Sequence, residues 1–246
     1  MERREFLKFG FMCFGHLVGN PLLAYAVDSG HAGSGRATDH RYSIRSGHPR
    51  LFLTPERIRE VRRRCADARN AQAHYYSVMK AFADRYDPGG SKPAVYDCMV
   101  LAFLYVVGEV PGFQYGGRSI EDYGRLGAEM LSVLRPPRGL AYFLRRTPVF
   151  IACYDWLFRA MSVAEREKIF RNVTSVADEM RSHIGAPGRH RGTREMYAFY
   201  GLAFYDDGPF IYPENRMRAD AANKKAKEYV DFFLSWHRDR QMTVLE

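Results

Sequence analysis

Apolar residues return along this chain at intervals of three and four, and nowhere in sustained alternation of two. That spacing predicts helices throughout and no strands. Ile58, Val61 and Cys65 form the first such stripe. Thr54 stands just ahead of Pro55, a residue suited to the first helical position, and Glu56 favours the positive end of the dipole. This first helix is expected to run from Pro55 to about Arg85.

Beyond it, apolar helical segments alternate with loops marked by Gly and Pro. "DPGGSKP" breaks the pattern, and "AVYDCMVLAFLYVVG" is apolar enough all round to be buried. "EVPGFQYGGRS" breaks again, before the amphipathic "IEDYGRLGAEMLSVL". "RPPRG" is a short stop ahead of "TPVFIACYDWLFRAM". Ser162 and Glu165 form a capping box that opens a helix to about His183. "GAPGRHRG" reads as a loop, "TREMYAFYGLAFY" as a helix and "DDGPFIYPEN" as a loop. "RMRADAANKKAKEYVDFFLSWHRDR" is the last helix.

Apolar helices joined by short connections must shelter one another in stacked hairpins, so the fold class expected is all-α. No sequence repeat recurs, which disfavours a consensus solenoid. Residues 48–246 form the expected folded domain, and the Gly- and Ser-rich stretch 27–47 is expected to be a flexible linker.

Residues 1–26 change the picture of where the protein works. Arg3 and Arg4 precede Phe6, Leu7 and Lys8, a short apolar run follows, and Ala24-Tyr25-Ala26 closes it. Charged start, apolar stretch and small-x-small end describe a cleavable export signal, too short and interrupted to be a membrane span. Arg-Arg-x-Phe-Leu-Lys resembles a twin-arginine signal, which implies the twin-arginine translocation machinery as a partner and a periplasmic or secreted location. The formal charge of +9 falls only to about +8 without the signal, which favours an anionic partner. Export argues against nucleic acid and points to acidic polymers. Cys13 leaves with the signal. The remaining Cys65, Cys98 and Cys153 form neither a disulfide framework nor a zinc knuckle, and Cys98 and Cys153 are expected as buried thiols. No metal or cofactor is expected: His183 and His190 have no third ligand at sensible spacing.

Three segments carry a resemblance. "HPRLFLTPERIREVRRR", "CYDWLFRAMSVAEREKI" and "YGLAFYDDG" resemble, in order and spacing, the helical domain of heparinase II/III-type polysaccharide lyases, over about His48 to Gly208. The resemblance implies an incomplete (α/α) toroid whose cleft takes an acidic, uronate-containing polysaccharide. It implies β-elimination, in which the substrate carboxylate is neutralised, a base removes the C5 proton and an acid protonates the leaving oxygen. In that family a catalytic tyrosine, a further histidine and a β-sandwich lie beyond the last helix. This sequence is accordingly expected to be an N-terminal portion, truncated before them.

The resemblance also implies a substrate-binding site. Arg189, His190, Arg191 and Arg194 fall in the loop and first helical turn where the family neutralises the carboxylate. Free N–H groups and the dipole would add to the arginine forks. Glu195 could orient His190 or an arginine, and Tyr197 is the tyrosine best placed to face the cleft, with packing in the core or at its rim as the other reading and the one preferred to a catalytic role. The family's usual Asn-His pair is Arg189-His190 here. The same stretch also reads as a solvated arginine-rich loop. Tyr200 is expected in the core, Tyr154 and Trp156 as core or sugar-stacking rings, and Asp155 as an internal hydrogen-bond partner. A non-catalytic helical module binding acidic glycans or a protein partner is the alternative. A glycoside hydrolase ranks last, because Asp97, Glu109, Asp155 and Glu195 form no recognisable acid pair.

Overall fold

The computed structural model describes residue 44 and residues 47–90, 92–113, 117–137, 140–183 and 191–244; side chains are not described at 140–145, 182–183, 191–195 and 236–244. The expected signal, and the linker apart from residues 44 and 47, lie outside the described residues. Those residues are all-helical, with no strand.

The helices are α1 (Pro55–Ala66), α2 (Ala71–Arg85), α3 (Val95–Val107), α4 (Ile120–Val133), α5 (Leu140–Leu157), α6 (Val163–His183), α7 (Arg191–Phe204), α8 (Gly208–Ile211) and α9 (Arg216–Val244). The single helix expected from Pro55 to Arg85 is two. Asp67 leaves the helical region with ψ 104, and Asn70 then caps a new start by accepting from the Gln72 amide. Asn and Asp offer the backbone local hydrogen bonds that compete with helix, and here they end one helix and begin another. Helix α5 begins ahead of Thr147 and carries Pro148 inside it. A short helix, α8, occupies part of the expected loop after Asp206. Both capping details behave as the sequence implies. Thr54 accepts from the Arg57 amide, and Ser162 and Glu165 exchange side-chain-to-backbone hydrogen bonds at 2.8 and 3.3 Å.

The odd-numbered helices touch in succession, α1 on α3, α3 on α5, α5 on α7 and α7 on α9, while α4 packs on α3, α5 and α6. This is the stacked-hairpin arrangement that the apolar pattern requires. Helix α3 lies deepest: Asp97 to Leu104 are buried without interruption, as a helix apolar on every face must be. Cys65, Cys98 and Cys153 are buried and free. Burial pushes the Cys65 thiol up to about 11 and the Cys153 thiol well above its ordinary range, and a buried free cysteine behaves as a small apolar side chain. No helix among the described residues is long and apolar enough to cross a membrane.

Candidate functional site

A small set of charged side chains is shut inside this apolar stack. The segment before α1 turns inward so that His48, Arg50 and Leu51 run beneath the end of α5. Phe52, at φ 61, then turns the chain back out. On the other side Asp206, at φ 56, ends α7 in the left-handed conformation and turns Asp207 inward. Asp and Asn tolerate that conformation better than most residues.

Between these two turns the charges meet. His48 Nδ1 lies 2.5 Å from Asp155 Oδ1, and His48 Nε2 lies 3.0 and 3.2 Å from the two oxygens of Asp207. Asp155 also accepts from the backbone amides of Arg50, at 2.8 and 3.0 Å, and Leu51, at 2.7 Å. Asp207 accepts from Arg50 Nη1 at 3.0 Å and from the Tyr154 hydroxyl at 3.1 Å. Arg50 Nη1 also donates to the Ala203 carbonyl, and Trp156 Nε1 donates to the Leu51 carbonyl at 3.0 Å. The side chains of His48, Arg50, Asp155 and Asp207 are 5, 2, 0 and 0% exposed.

Two carboxylates face one guanidinium and one imidazole. A neutral imidazole has one N–H, yet each ring nitrogen of His48 faces a carboxylate. Protonated His48 satisfies both contacts and balances the charge of the cluster. Burial pulls the His48 pKa down, but hydrogen bonds and charge from Asp155 and Asp207 outweigh it and the net direction is up. The ring stacks on Phe158 with centroids 3.8 Å apart. Tyr154, buried beside the negative Asp207, is raised well above the usual phenol range and stays a donor.

A pH dependence follows. A histidine whose pKa is higher folded than unfolded contributes stability that is complete below its unfolded value, about 6.5, and is lost as pH rises through the folded value. Each tenfold difference in proton affinity is worth about 1.4 kcal/mol. The unfolding midpoint of the wild type is expected to fall as pH rises above about 6.5, while His48→Gln gives a flatter profile. Parallel profiles would show that His48 does not carry the charge.

Beside this cluster opens a cleft of about 700 Å³ between α1, the end of α3, the start of α4 and the end of α5. Its walls include Arg59 and Arg62 of α1, Tyr105 of α3, Glu109, Glu121 of α4 and Arg159 beyond α5, and His48, Asp155 and Trp156 reach its inner surface.

The residues singled out from sequence fare differently. Arg189 and His190 lie outside the described residues, as do the side chains of Arg191, Arg194 and Glu195, whose backbone opens α7. Tyr197, read from sequence as facing a cleft or packed in the core or its rim, is a core residue. It is fully buried, its hydroxyl donates to the Ala177 carbonyl of α6 at 2.8 Å, and its ring packs on Tyr229 and Phe232 of α9. Its stripe of α7 is the one pressed between α6 and α9. Tyr154, Trp156 and Tyr200 are likewise buried, so neither Tyr154 nor Trp156 offers a face for sugar stacking. Asp155 is the internal hydrogen-bond partner its apolar setting implies. His48, Arg50 and Asp207, and the cleft residues Arg62, Tyr105 and Arg159, were not singled out from the sequence. The signal available was Asp155, a carboxylate inside an apolar helical run, which needs donors or a cation buried with it.

No protein-family model, curated protein or solved structure matches this chain. Fold and site together define an all-α domain of stacked helical hairpins, pinned by a buried, charge-balanced cluster next to an open polar cleft.

Proposed function

We propose that this chain is the helical portion of an exported polysaccharide lyase that cleaves uronate-containing polysaccharide by β-elimination, its hairpins forming part of an (α/α) toroid. One observation supports this reading above others. The three segments that resemble heparinase II/III-type lyases, distant in sequence, meet at one place. His48, Arg50 and Leu51 come from the first, Tyr154, Asp155 and Trp156 from the second, and Asp207 from the third; they share the hydrogen bonds of a single buried cluster. Residues that resemble a family signature thus serve one structural purpose, holding the entry segment, α5 and the end of α7 in fixed relation. In this reading Arg189, His190, Arg191 and Arg194 neutralise the substrate carboxylate at the start of α7, where helix N–H groups and arginine forks act together.

The complete protein, incubated with heparan-type, alginate-type and other uronate polymers, is expected to generate ultraviolet-absorbing unsaturated chain ends. Arg191→Ala should raise KM on the active polymer. Silence across the whole panel overturns the lyase reading. Salt-sensitive retention on an anionic-polysaccharide column without new chain ends would instead identify a glycan-binding module.

A further inference from the structure

Cys98 of α3 and Cys153 of α5 come from separate helices and meet in the core. Helix α3 packs on both α4 and α5, and the two sulfurs lie in that junction. Cys98 Sγ donates to the Gly127 carbonyl of α4 at 3.4 Å. Cys153 Sγ lies 4.0 Å from the Val95 carbonyl, about one turn before Cys98 on α3. The two thiols also hydrogen-bond each other, and both residues are fully buried. Cys65 of α1 is buried too, but its thiol has no hydrogen-bond partner among the described residues. The three cysteines therefore divide into a pair and a single. Sulfurs in contact across two packed helices are the arrangement from which the ~2.05 Å bond of a disulfide closes. A bond at this point would act on the buried charged cluster as well. Cys153 directly precedes Tyr154 and Asp155, so a link to α3 would fasten their turn of α5 to the deepest helix.

We propose that Cys98 and Cys153 are a disulfide-forming pair, a covalent cross-link site between α3 and α5 that is closed by a small-molecule disulfide such as oxidised glutathione. One cysteine loses its proton to solvent, and its thiolate attacks a sulfur of the oxidant. The S–S bond of the oxidant breaks, a mixed disulfide forms, and one glutathione thiolate departs. The second cysteine, deprotonated in turn, attacks the protein sulfur of that mixed disulfide. The Sγ–Sγ bond forms and the second glutathione leaves. The pair gives up two protons and two electrons, and the oxidant takes up the electrons to become two thiols. Timing follows from burial. Its apolar surroundings hold the packed Cys153 thiol protonated, and a protonated thiol is not a nucleophile. Exchange therefore belongs to the stage when α3 and α5 are still apart, and packing then shields the bond from reductant. The site depends on neither the lyase reading nor the export reading.

Peptide mapping of the full chain tests it. The protein is unfolded, reduced, refolded in a mixture of reduced and oxidised glutathione, trapped with an alkylating reagent and digested without reductant. A peptide linking Cys98 to Cys153, lighter than its two free halves by two hydrogens, is expected as the main disulfide product, with Cys65 alkylated. The same map is made on native protein held with oxidised glutathione just below its denaturant midpoint, which opens the interface without a refolding step. Oxidised protein should melt roughly 5–15 °C above reduced protein. Cys98→Ala and Cys153→Ala should each abolish both the link and this difference. Absence of the link under both conditions, Cys65 linked as often as Cys98 or Cys153, or an oxidised midpoint no higher than the reduced one would each overturn the proposal.

Discussion

Replacing Asp155 with alanine is expected to lower the stability of this domain by about 3–5 kcal/mol, the range seen when one partner of a buried ion pair is removed. At roughly 2–4 °C per kcal/mol for a domain of this size, the thermal midpoint should fall by roughly 6–20 °C. The loss is large because Asp155 accepts from three donors at once: His48 Nδ1 and the amides of Arg50 and Leu51. Alanine leaves all three without that acceptor in a site where the aspartate is fully buried. Asp155→Asn keeps an oxygen for the two amides but removes the charge opposite the imidazolium, and should cost less than alanine. Adding His48→Ala to Asp155→Ala removes the stranded positive charge, so the double variant should be more stable than the sum of the single losses predicts. Denaturant unfolding of the wild type, Asp155→Ala, Asp155→Asn, His48→Ala and the double variant measures this directly. A loss under about 1 kcal/mol for Asp155→Ala, the scale of one ordinary hydrogen bond, would mean that the cluster does not hold the fold.

The second large effect is expected at Gly201, on the face of α7 that meets α9. Mid-helix glycine normally benefits from replacement by alanine, by about 1 kcal/mol. Here the added Cβ would stand 2.4 Å from Val230 Cγ2 and 2.9 Å from both the Ala226 carbonyl oxygen and the Val230 amide nitrogen. The valine methyl can move; the α9 backbone cannot without the two helices separating. Overpacking of this kind costs about 1–3 kcal/mol, which outweighs the propensity gain, and the net change should be destabilising. Val230→Ala in the same chain removes the closest contact but not the two backbone ones, so it should restore only part of the loss. An increase in the unfolding midpoint of Gly201→Ala would show that α7 and α9 are less closely packed than described.

That contact was partly legible beforehand. Ala198, Gly201 and Tyr205 form a stripe of α7 whose small residues suit a close helix neighbour, and Gly201 lies against α9 as that stripe implies. Helix identity, the Thr54 and Ser162 caps and the burial of α3 were equally readable, because each depends on residues within a turn or two of one another. The break at Asp67–Asn70 was not, since an apolar stripe on either side runs on through it. The early start of α5 was hidden by Pro148, which looks like a helix boundary and is accommodated inside one. Tyr197 stood between cleft and core because a helical wheel shows that a residue has a face but not which neighbour covers it. The buried cluster was least accessible of all. Its partners are 107 and 159 residues from His48, and nothing local to His48-Pro49-Arg50 distinguishes two cations bound for the interior from two at the surface. The cleft likewise draws its charges from several separate elements, so no single stretch of sequence displays it.

The span of that cluster has a consequence during vectorial synthesis. His48 leaves the ribosome 159 residues ahead of Asp207, a delay of roughly 8–30 s at common translation rates. For that interval His48 and Arg50 have at most one of their two carboxylates. A nascent chain ending short of α8 therefore carries an unbalanced positive charge at a position meant for the interior. The entry segment has reason to stay undocked until the end of α7 emerges, and arrival of Asp207 then turns a partial chain into one whose first and later helices are committed together.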